Sequence, residues 1–418
     1  MRFALQVYLP LRVGLSAVAA VVRALYRGDL SPDPVWRPYL GIPPIEGGWR
    51  GLFLGVWQRW DTLWYMLIAG EGYNTSDTRI FAPPLYPWLM RLAGGLLGGN
   101  EGAVRPSDCS AILLGGLIVS NLACMGLFAY LYRLAEMEWG TAIARRTVVY
   151  LALFPSAFFL LAAYAESLFM LCAVAAFYHA RRRQWLAAGL WGGCAPLARL
   201  PGIAILLPLG WEFARQWWVS RCTASKMLAI QTDLSRAEAG ERPLASHKAR
   251  LLWHGWPLIL VVVGGILFPL YAYLVVGSDG LLAPFAIHTQ RFMGRFALPW
   301  HSLWMAVRAL ASGSFRFIEP FDLAFALLFI GLTAVAFFRL PSIYALYMAV
   351  MLVGSLTKVS AVQPLLSLSR YVLVLFPGFV LLAQLGQRNA WWNRLIVYLS
   401  VAGAIFFVGQ FAIWGWVG

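Results

Sequence analysis

Asp61, Glu166, Arg199 and Arg370 are ionisable residues standing in or beside long apolar stretches of this chain. An ionisable side chain in such a setting costs roughly 3 kcal/mol unless it is paired or solvated, so each is a candidate for chemistry. Asp61 lies in Arg59-Trp60-Asp61-Thr62-Leu63-Trp64-Tyr65, where Trp57, Asp61, Trp64 and Ile68 would share one face of a helix ended by Gly70 or Gly72. Two readings of that aspartate stand side by side. It could be an N-cap, accepting the backbone N–H of Leu63 or Trp64. It could instead be a catalytic carboxylate held at a membrane surface by tryptophans, with Trp60, Trp64 and Tyr65 lining a substrate site. Glu166 opens Glu166-Ser167-Leu168-Phe169, Arg199 sits between Pro196 and Pro201, and Arg370 is flanked by Ser369 and Tyr371. The stretch His288-Thr289-Gln290-Arg291, with Arg295, adds a further polar group. Each has a plainer reading: Glu166 could pair structurally with Arg199, and His288 could be an ordinary loop histidine. Gathered around one outward cavity, the carboxylates and arginines suit a phosphorylated, amphipathic substrate.

Composition limits what kind of molecule can carry such a site. With 61% hydrophobic and 12% charged residues over 418 positions, the chain is not a soluble globular protein. The formal charge of +15 comes almost entirely from arginine, the lysines being Lys226, Lys248 and Lys358. In an apolar chain, that excess reads as cytoplasmic loops facing anionic lipid, not as a nucleic-acid surface. The cysteines (Cys109, Cys124, Cys172, Cys194, Cys222) show no C-x-x-C spacing, and no His/Asp cluster has ligand spacing, so neither a metal nor another cofactor is expected.

The elements that must position these residues are apolar spans. The first covers Leu5 to Leu25 and is interrupted by Arg12; without a small-residue cleavage site after it, it reads as a retained span. Arg12 either snorkels to the interface or faces a polar cavity. Residues 27–109 then form a loop far longer than a connection requires, which implies function. It holds Asp61 and the rigid Phe81-Ala82-Pro83-Pro84-Leu85-Tyr86-Pro87-Trp88 segment. Further spans are expected at 110–132, 143–163, 165–181, 185–210, 256–276, 322–338, 342–357, 370–386 and 395–416. The fold class is therefore an all-α polytopic membrane protein of about ten transmembrane helices, organised as one domain over 1–418.

Basic residues set the orientation. Arg133 with Arg145 and Arg146, Arg181-Arg182-Arg183, Arg339, and Arg388 with Arg394 should be cytoplasmic, whereas 27–109 is nearly balanced and lies outside. The loop 211–255 is also basic, which conflicts with a single crossing at 185–210. Two prolines bracketing Arg199 suit a re-entrant or broken helix whose apex reaches the outer side; the alternative is one straight span. With 211–255 inside, 277–321 is an outer loop.

Trp60-Asp61-Thr62-Leu63-Trp64-Tyr65, Phe81-Ala82-Pro83-Pro84-Leu85-Tyr86-Pro87, Phe154-Pro155-Ser156-Ala157-Phe158-Phe159 leading into Tyr164-Ala165-Glu166-Ser167-Leu168-Phe169, and Ala198-Arg199-Leu200-Pro201-Gly202 resemble, in order, the PIG-V family of mannosyltransferases. Gln290, Arg295 and Ser369-Arg370-Tyr371 look like the family's later motifs. A departure is that the family's Thr-Arg-Ser-Asn-Gly-like stretch here reads Ala198-Arg199-Leu200-Pro201-Gly202. The resemblance implies a GT-C-like glycosyltransferase fold, a polyprenyl (dolichyl) phosphate sugar as donor, and a lipid or glycan acceptor. It also implies a carboxylate of the first outer loop, Asp61, as base of an inverting transfer. Arg370 would hold the phosphate, with Arg199, Arg291 or Arg295 helping, and Glu166 would orient the sugar or an arginine. His288, Gln290 and Tyr371 would complete the substrate site. A secondary transporter or flippase of an anionic or lipid-linked substrate is the rival from another class, although only one interrupted helix and no internal repeat are visible. A catalytically silent assembly subunit is a third. A prokaryotic plasma membrane, with the site on the outer or lumenal side, is favoured over the endoplasmic reticulum.

Overall fold

The computed structural model describes residues 1–34, 36–73, 81–99, 106–235, 255–276, 294–360 and 363–417. It is built from α-helices and one two-stranded antiparallel ribbon, in which Gly294–Phe296 (β1) pairs with Lys358–Ser360 (β2), Arg295 opposite Val359. Helix α1 (Arg2–Leu25) leads into the first long loop, which is itself ordered as α2 (Gly48–Phe53), α3 (Asp61–Glu71) and α4 (Leu85–Leu96). Then follow α5 (Pro106–Trp139), α6 (Thr141–Leu153), α7 (Glu166–Arg181), α8 (Trp185–Ala198) and α9 (Leu206–Ser235). The remainder is α10 (Ile259–Val276), α11 (Pro299–Ala311), α12 (Glu319–Arg339), α13 (Ser342–Leu356), α14 (Leu368–Tyr371), α15 (Phe376–Arg388) and α16 (Ala390–Ala412).

Among the described residues, five helices are long and apolar enough to cross a bilayer, or six if the pair spanning Leu368–Val374 and Phe376–Arg388, bent by 78°, counts as one. The expected ten continuous spans are therefore not confirmed. Run 143–163 is one departure: α6 stops at Leu153, Phe154-Pro155-Ser156 turns the chain, and a 3-10 turn over Ala157–Leu160 carries it to α7. A helix of 13 residues, such as α6, rises only about 20 Å, short of the ~30 Å hydrocarbon core. The composition stays apolar straight through this break, so hydropathy alone registers a span where backbone geometry supplies half of one.

The short helices run between two charged ends of the bundle. At one end Arg181 reaches Glu138 Oε1 at 2.5 Å and Glu212 Oε1 at 2.7 Å, Arg215 joins Glu212 at 2.7 Å, and Tyr344 Oη donates to Glu138 Oε1 at 3.1 Å. These contacts tie α5, α7, α9 and α13 together. At the other end of α7, about 24 Å away along 16 residues, stands Glu166.

The 185–210 stretch is not one straight helix. Helix α8 ends at Ala198, Arg199 is extended (φ −149°, ψ 135°), and a 3-10 turn over Leu200–Ile205 precedes α9. The chain then folds back on itself: Trp185 meets Phe213 with ring centroids 5.1 Å apart, and Gln216 Nε2 donates to the Ala180 carbonyl at 3.0 Å. Both legs of this hairpin thus end beside Arg181, and its apex carries Arg199 to the opposite end. Gly202 permits the reversal, since a Cβ there would lie 2.4 Å from the Ala195 carbonyl carbon. Helix α10 packs closely on the hairpin's first leg because Gly193 and Gly264 face each other; a Cβ on Gly264 would come within 2.1 Å of the Gly193 oxygen. Arg12 of α1 turns inward, Nη1 donating to the Leu161 carbonyl at 3.4 Å and the guanidinium lying 5.0 Å from the Trp57 ring centroid.

Candidate active site

Asp61 is the first residue of α3, not its cap. The cap position is Trp60, whose φ of +53° lies in a region a bulky side chain rarely adopts, and no side chain caps the helix. The backbone N–H of Leu63 goes to the Trp60 carbonyl, so the N-cap reading of Asp61 does not describe its carboxylate. Trp57 belongs to a separate 3-10 turn, which shortens the expected helical stripe, and Gly72 ends the helix with φ +82°. The strained turn is held from below. Arg59, buried, donates to the carbonyls of Gly55 (2.8 Å), Gln58 (3.0 Å) and Ala412 (3.2 Å) and to Tyr39 Oη (3.3 Å), and its guanidinium lies 4.9 Å from the Trp414 ring centroid. Burial pulls that guanidinium down to about 10, still charged at neutral pH. Trp60 packs edge-on against Trp414 and Trp416, at 5.3 and 4.8 Å between centroids. Five long-range anchors therefore over-determine one backbone turn, and that turn aims Asp61.

From there the charged groups form a ladder of alternating sign. Arg370 Nη1 donates to Asp61 Oδ2 at 2.7 Å, Arg370 Nε lies 3.4 Å from Glu166 Oε1, and Arg199 Nη1 donates to the same Glu166 oxygen at 2.5 Å. Two carboxylates and two guanidinium groups cancel in charge, which is what allows them to share a buried region. Exposure grades along the ladder: the Glu166 side chain is 2% exposed, Arg370 8%, Arg199 13% and Asp61 22%. The two ends are open and the middle is closed. Within the closed middle, Glu166 Oε2 and Arg370 Nε have no hydrogen-bond partner among the described residues, an acceptor and a donor left unpartnered side by side.

Aromatic rings wall this ladder. Arg370 lies 5.5 Å from the Phe159 centroid, 5.6 Å from Tyr164 and 5.5 Å from Tyr371. Tyr164 Oη accepts the Asp61 backbone N–H at 3.2 Å. Tyr65 is buried edge-on against Tyr86 and Tyr164, and burial, with Glu166 and Asp61 nearby, pushes its phenol well up, so it remains a neutral hydroxyl. Trp64 packs edge-on against Phe81 at 6.2 Å, which docks the proline-rich segment onto α3.

Arg370 is carried by the short α14, and that helix is fixed from three sides. Asp322 Oδ1 accepts the Ser369 backbone N–H at 2.8 Å while its Oδ2 accepts Gln363 Nε2 at 3.0 Å. Ser156 Oγ donates to the Ser369 carbonyl at 2.7 Å, and Ser369 Oγ donates to the Val417 carbonyl at 2.9 Å. The structure thus brings together Asp61, Trp60, Trp64, Tyr65, Glu166, Arg199, Arg370 and Tyr371. Arg370 bonds directly to Asp61. His288, Gln290 and Arg291 lie outside the described residues, and of Arg295 only the backbone, in β1, is described. Among the described residues no group of three or more His, Cys, Asp or Glu side chains gathers to hold a metal. Sequence reasoning passed over Asp322, Arg59, the Trp414/Trp416 pair and Lys358. Asp322 carried the same signal as Glu166, a carboxylate within an apolar run; Lys358, at a helix end, carried none.

The fold and this site define a polytopic α-helical membrane protein with a recessed, charge-compensated centre. Residues 43–217 match the family model described as mannosyltransferase (PIG-V), so the resemblance read from the motifs is borne out over the segment holding Asp61, Glu166 and Arg199; Arg370 lies beyond it. No curated protein matches the chain. Among solved structures, the chain is similar to the Archaeoglobus fulgidus oligosaccharyltransferase in complex with zinc and sulfate, at TM-score 0.43 and 13% identity over 96% of this chain and 53% of that one. The archaeal oligosaccharyltransferase AglB from the same organism, in complex with an inhibitory peptide and a dolichol-phosphate, gives TM-score 0.39 and 12% identity over 96% and 55%. ArnT from Cupriavidus metallidurans bound to undecaprenyl phosphate gives TM-score 0.37 and 16% identity over 96% and 77%. The chain spans about half the length of the oligosaccharyltransferase chains, 53% in the first comparison.

Proposed function

We propose that this chain is an integral-membrane glycosyltransferase of GT-C type, a mannosyltransferase. It would move a sugar from a polyprenyl-phosphate donor to a lipid or glycan acceptor with inversion at the anomeric carbon. The observation that carries the reading is the ladder itself: the carboxylates and one arginine of the matched segment 43–217 converge with Arg370, far along the chain, on one recessed point. The domain is 1–418 as a whole, with 27–109 and 277–321 on the outer side and 211–255 in the cytoplasm of a prokaryotic cell.

Chemistry distributes itself along the ladder by exposure. Asp61 is its more open carboxylate, and only its Oδ2 is engaged by Arg370, so the other oxygen serves as base for the acceptor hydroxyl. As that proton leaves, the acceptor oxygen attacks the anomeric carbon, the bond from that carbon to the phosphate oxygen breaks, and the electron pair departs with the polyprenyl phosphate. Cations nearby stabilise the growing negative charge. Glu166 is too enclosed to take the acceptor's proton. It holds Arg199 and Arg370 in place instead. Trp60, Trp64, Tyr65 and Tyr371 supply the aromatic walls, with His288, Gln290, Arg291 and Arg295 completing the substrate site from the outer loop.

Purified protein given radiolabelled polyprenyl-phosphate mannose with total membrane lipid as acceptor source should yield a labelled lipid or glycan product. Label that stays on the donor with every acceptor offered, or donor that is carried across a vesicle membrane without bond cleavage, argues against this reading and for a transporter.

A further inference from the structure

A groove of about 420 Å³ runs between α1, α6 and α16. Val7 and Gly14 of α1, Val149 and Leu153 of α6, and Val401 and Ile405 of α16 give it apolar walls. Ile405, and Leu9 and Val13 beside the groove, are exposed, so it opens sideways on the apolar flank of the bundle. No residue of the candidate site borders it. Its length suits one leaflet: from Gln6 to Val18, α1 rises about 18 Å, against ~15 Å for half of a ~30 Å hydrocarbon core. One turn further on the groove is shut, because α1 and α16 meet there; a Cβ on Gly409 would touch Val22 at 3.4 Å. A groove that stops midway accepts an acyl chain entering from one side, whereas a partner's spanning helix needs a face of full depth.

The other end is basic. Each of the three helices carries an arginine there at helical spacing from a groove residue: Arg2 four before Gln6, Arg145 four before Val149, and Arg394 seven before Val401. Arg145 lies 5.8 Å from the Phe3 ring centroid, which puts it in the cleft between α6 and α1. Phe3 in turn packs on Tyr132, in the last turns of α5 near Glu138, so this is the Arg181 end of the bundle. Asn393, next to Arg394, accepts Tyr150 Oη at 2.7 Å, which seats the start of α16 against α6. The three arginines are exposed, and among the described residues no carboxylate pairs with any of them. Glu136, at the same end, is taken by Tyr132 Oη at 2.9 Å and Thr141 Oγ1 at 3.0 Å. Cations without counter-charge at the mouth of an apolar groove one leaflet deep complement an amphiphile with an anionic head and an acyl tail.

We infer that this groove seats an acyl chain of an anionic diacyl phospholipid from the leaflet at the Arg181 end, with the phosphate among Arg2, Arg145 and Arg394. The inference does not depend on sugar transfer. It bears on the site through α6, which ends at Leu153, just before Ser156, whose Oγ donates to the Ser369 carbonyl and so helps to fix α14 and Arg370. A lipid seated between α1, α6 and α16 braces that support.

The test titrates the full chain, delipidated in detergent, with phosphatidylglycerol and with phosphatidylcholine of the same acyl chains, bound lipid being counted by native mass spectrometry. Phosphatidylglycerol should bind the more tightly. Arg2→Gln, Arg145→Gln and Arg394→Gln should each weaken it by about fivefold and leave phosphatidylcholine unchanged, whereas Arg339→Gln, on another helix, should alter neither. Gly14→Leu should weaken both lipids, because Gly14 lines the groove and a Cβ built there meets no atom within 4 Å, so a larger side chain fills the groove without unfolding the helix. A phosphatidylglycerol with a diazirine on its acyl chain should label residues 6–18, 149–153 and 401–405. Equal affinity for the two lipids, a loss in Arg339→Gln as large as in Arg145→Gln, wild-type binding by Gly14→Leu, or labelling elsewhere overturns the assignment. Gly14→Cys chains that crosslink to one another in the membrane would put a second copy's helix in the groove and overturn it as well.

Discussion

Replacing Arg370 by alanine removes the one cation that touches both carboxylates, and the ladder's charge goes from zero to −1. Arg199 still covers Glu166, so the uncompensated charge falls on Asp61, whose carboxylate has no other side-chain partner among the described residues. Breaking a fully buried pair costs about 3–5 kcal/mol; with Asp61 partly exposed, about 2–4 kcal/mol is expected. Arg370→Lys keeps the charge but cannot extend a planar fork towards both carboxylates, so roughly half of that loss should remain. The decisive variant is Arg370→Ala combined with Asp61→Asn, which returns the ladder to neutrality and should recover about 1–3 kcal/mol relative to the sum of the two single changes. Reversible unfolding in mixed micelles, followed by intrinsic tryptophan fluorescence, reads all four members of the cycle. Strict additivity would mean that the 2.7 Å contact carries no coupling and that the ladder is not an energetic unit.

Two further outcomes follow from the geometry. The hairpin returns 206–235 to the Arg181 end, so the exposed native Cys222 should resist an impermeant thiol reagent in intact cells and label after permeabilisation, while Ser31→Cys in the first loop labels from outside; the reverse pattern inverts the topology. Asp322→Ala leaves the Ser369 N–H and the Gln363 amide without their buried acceptor, at about 1–3 kcal/mol each. Because those bonds fix α14, its turnover should fall together with stability, and unfolding measured beside turnover checks both.

Much of the site was legible because burying charge is expensive. Asp61, Glu166, Arg199 and Arg370 stood out as ionisable groups in apolar surroundings, and the clash between two basic segments either side of 185–210 pointed to the fold-back that the Trp185–Phe213 contact displays. The direct Asp61–Arg370 bond was not legible, since it joins residues 309 apart and either could have faced a substrate instead. Half-length helices were missed for a different reason. Hydropathy averages over residues 154–163, where the composition suits a membrane but the backbone has already left the α-helix.

Asp61→Asn tests the central claim most directly. Asparagine keeps the size of the side chain and can still accept from Arg370, but it cannot take up the acceptor's proton. Sugar transfer from a labelled polyprenyl-phosphate mannose should fall by about 10²–10⁴-fold while the protein stays folded and donor affinity stays near wild type. Transfer at the wild-type rate by a folded, donor-binding Asp61→Asn protein would contradict the assignment of Asp61 as base.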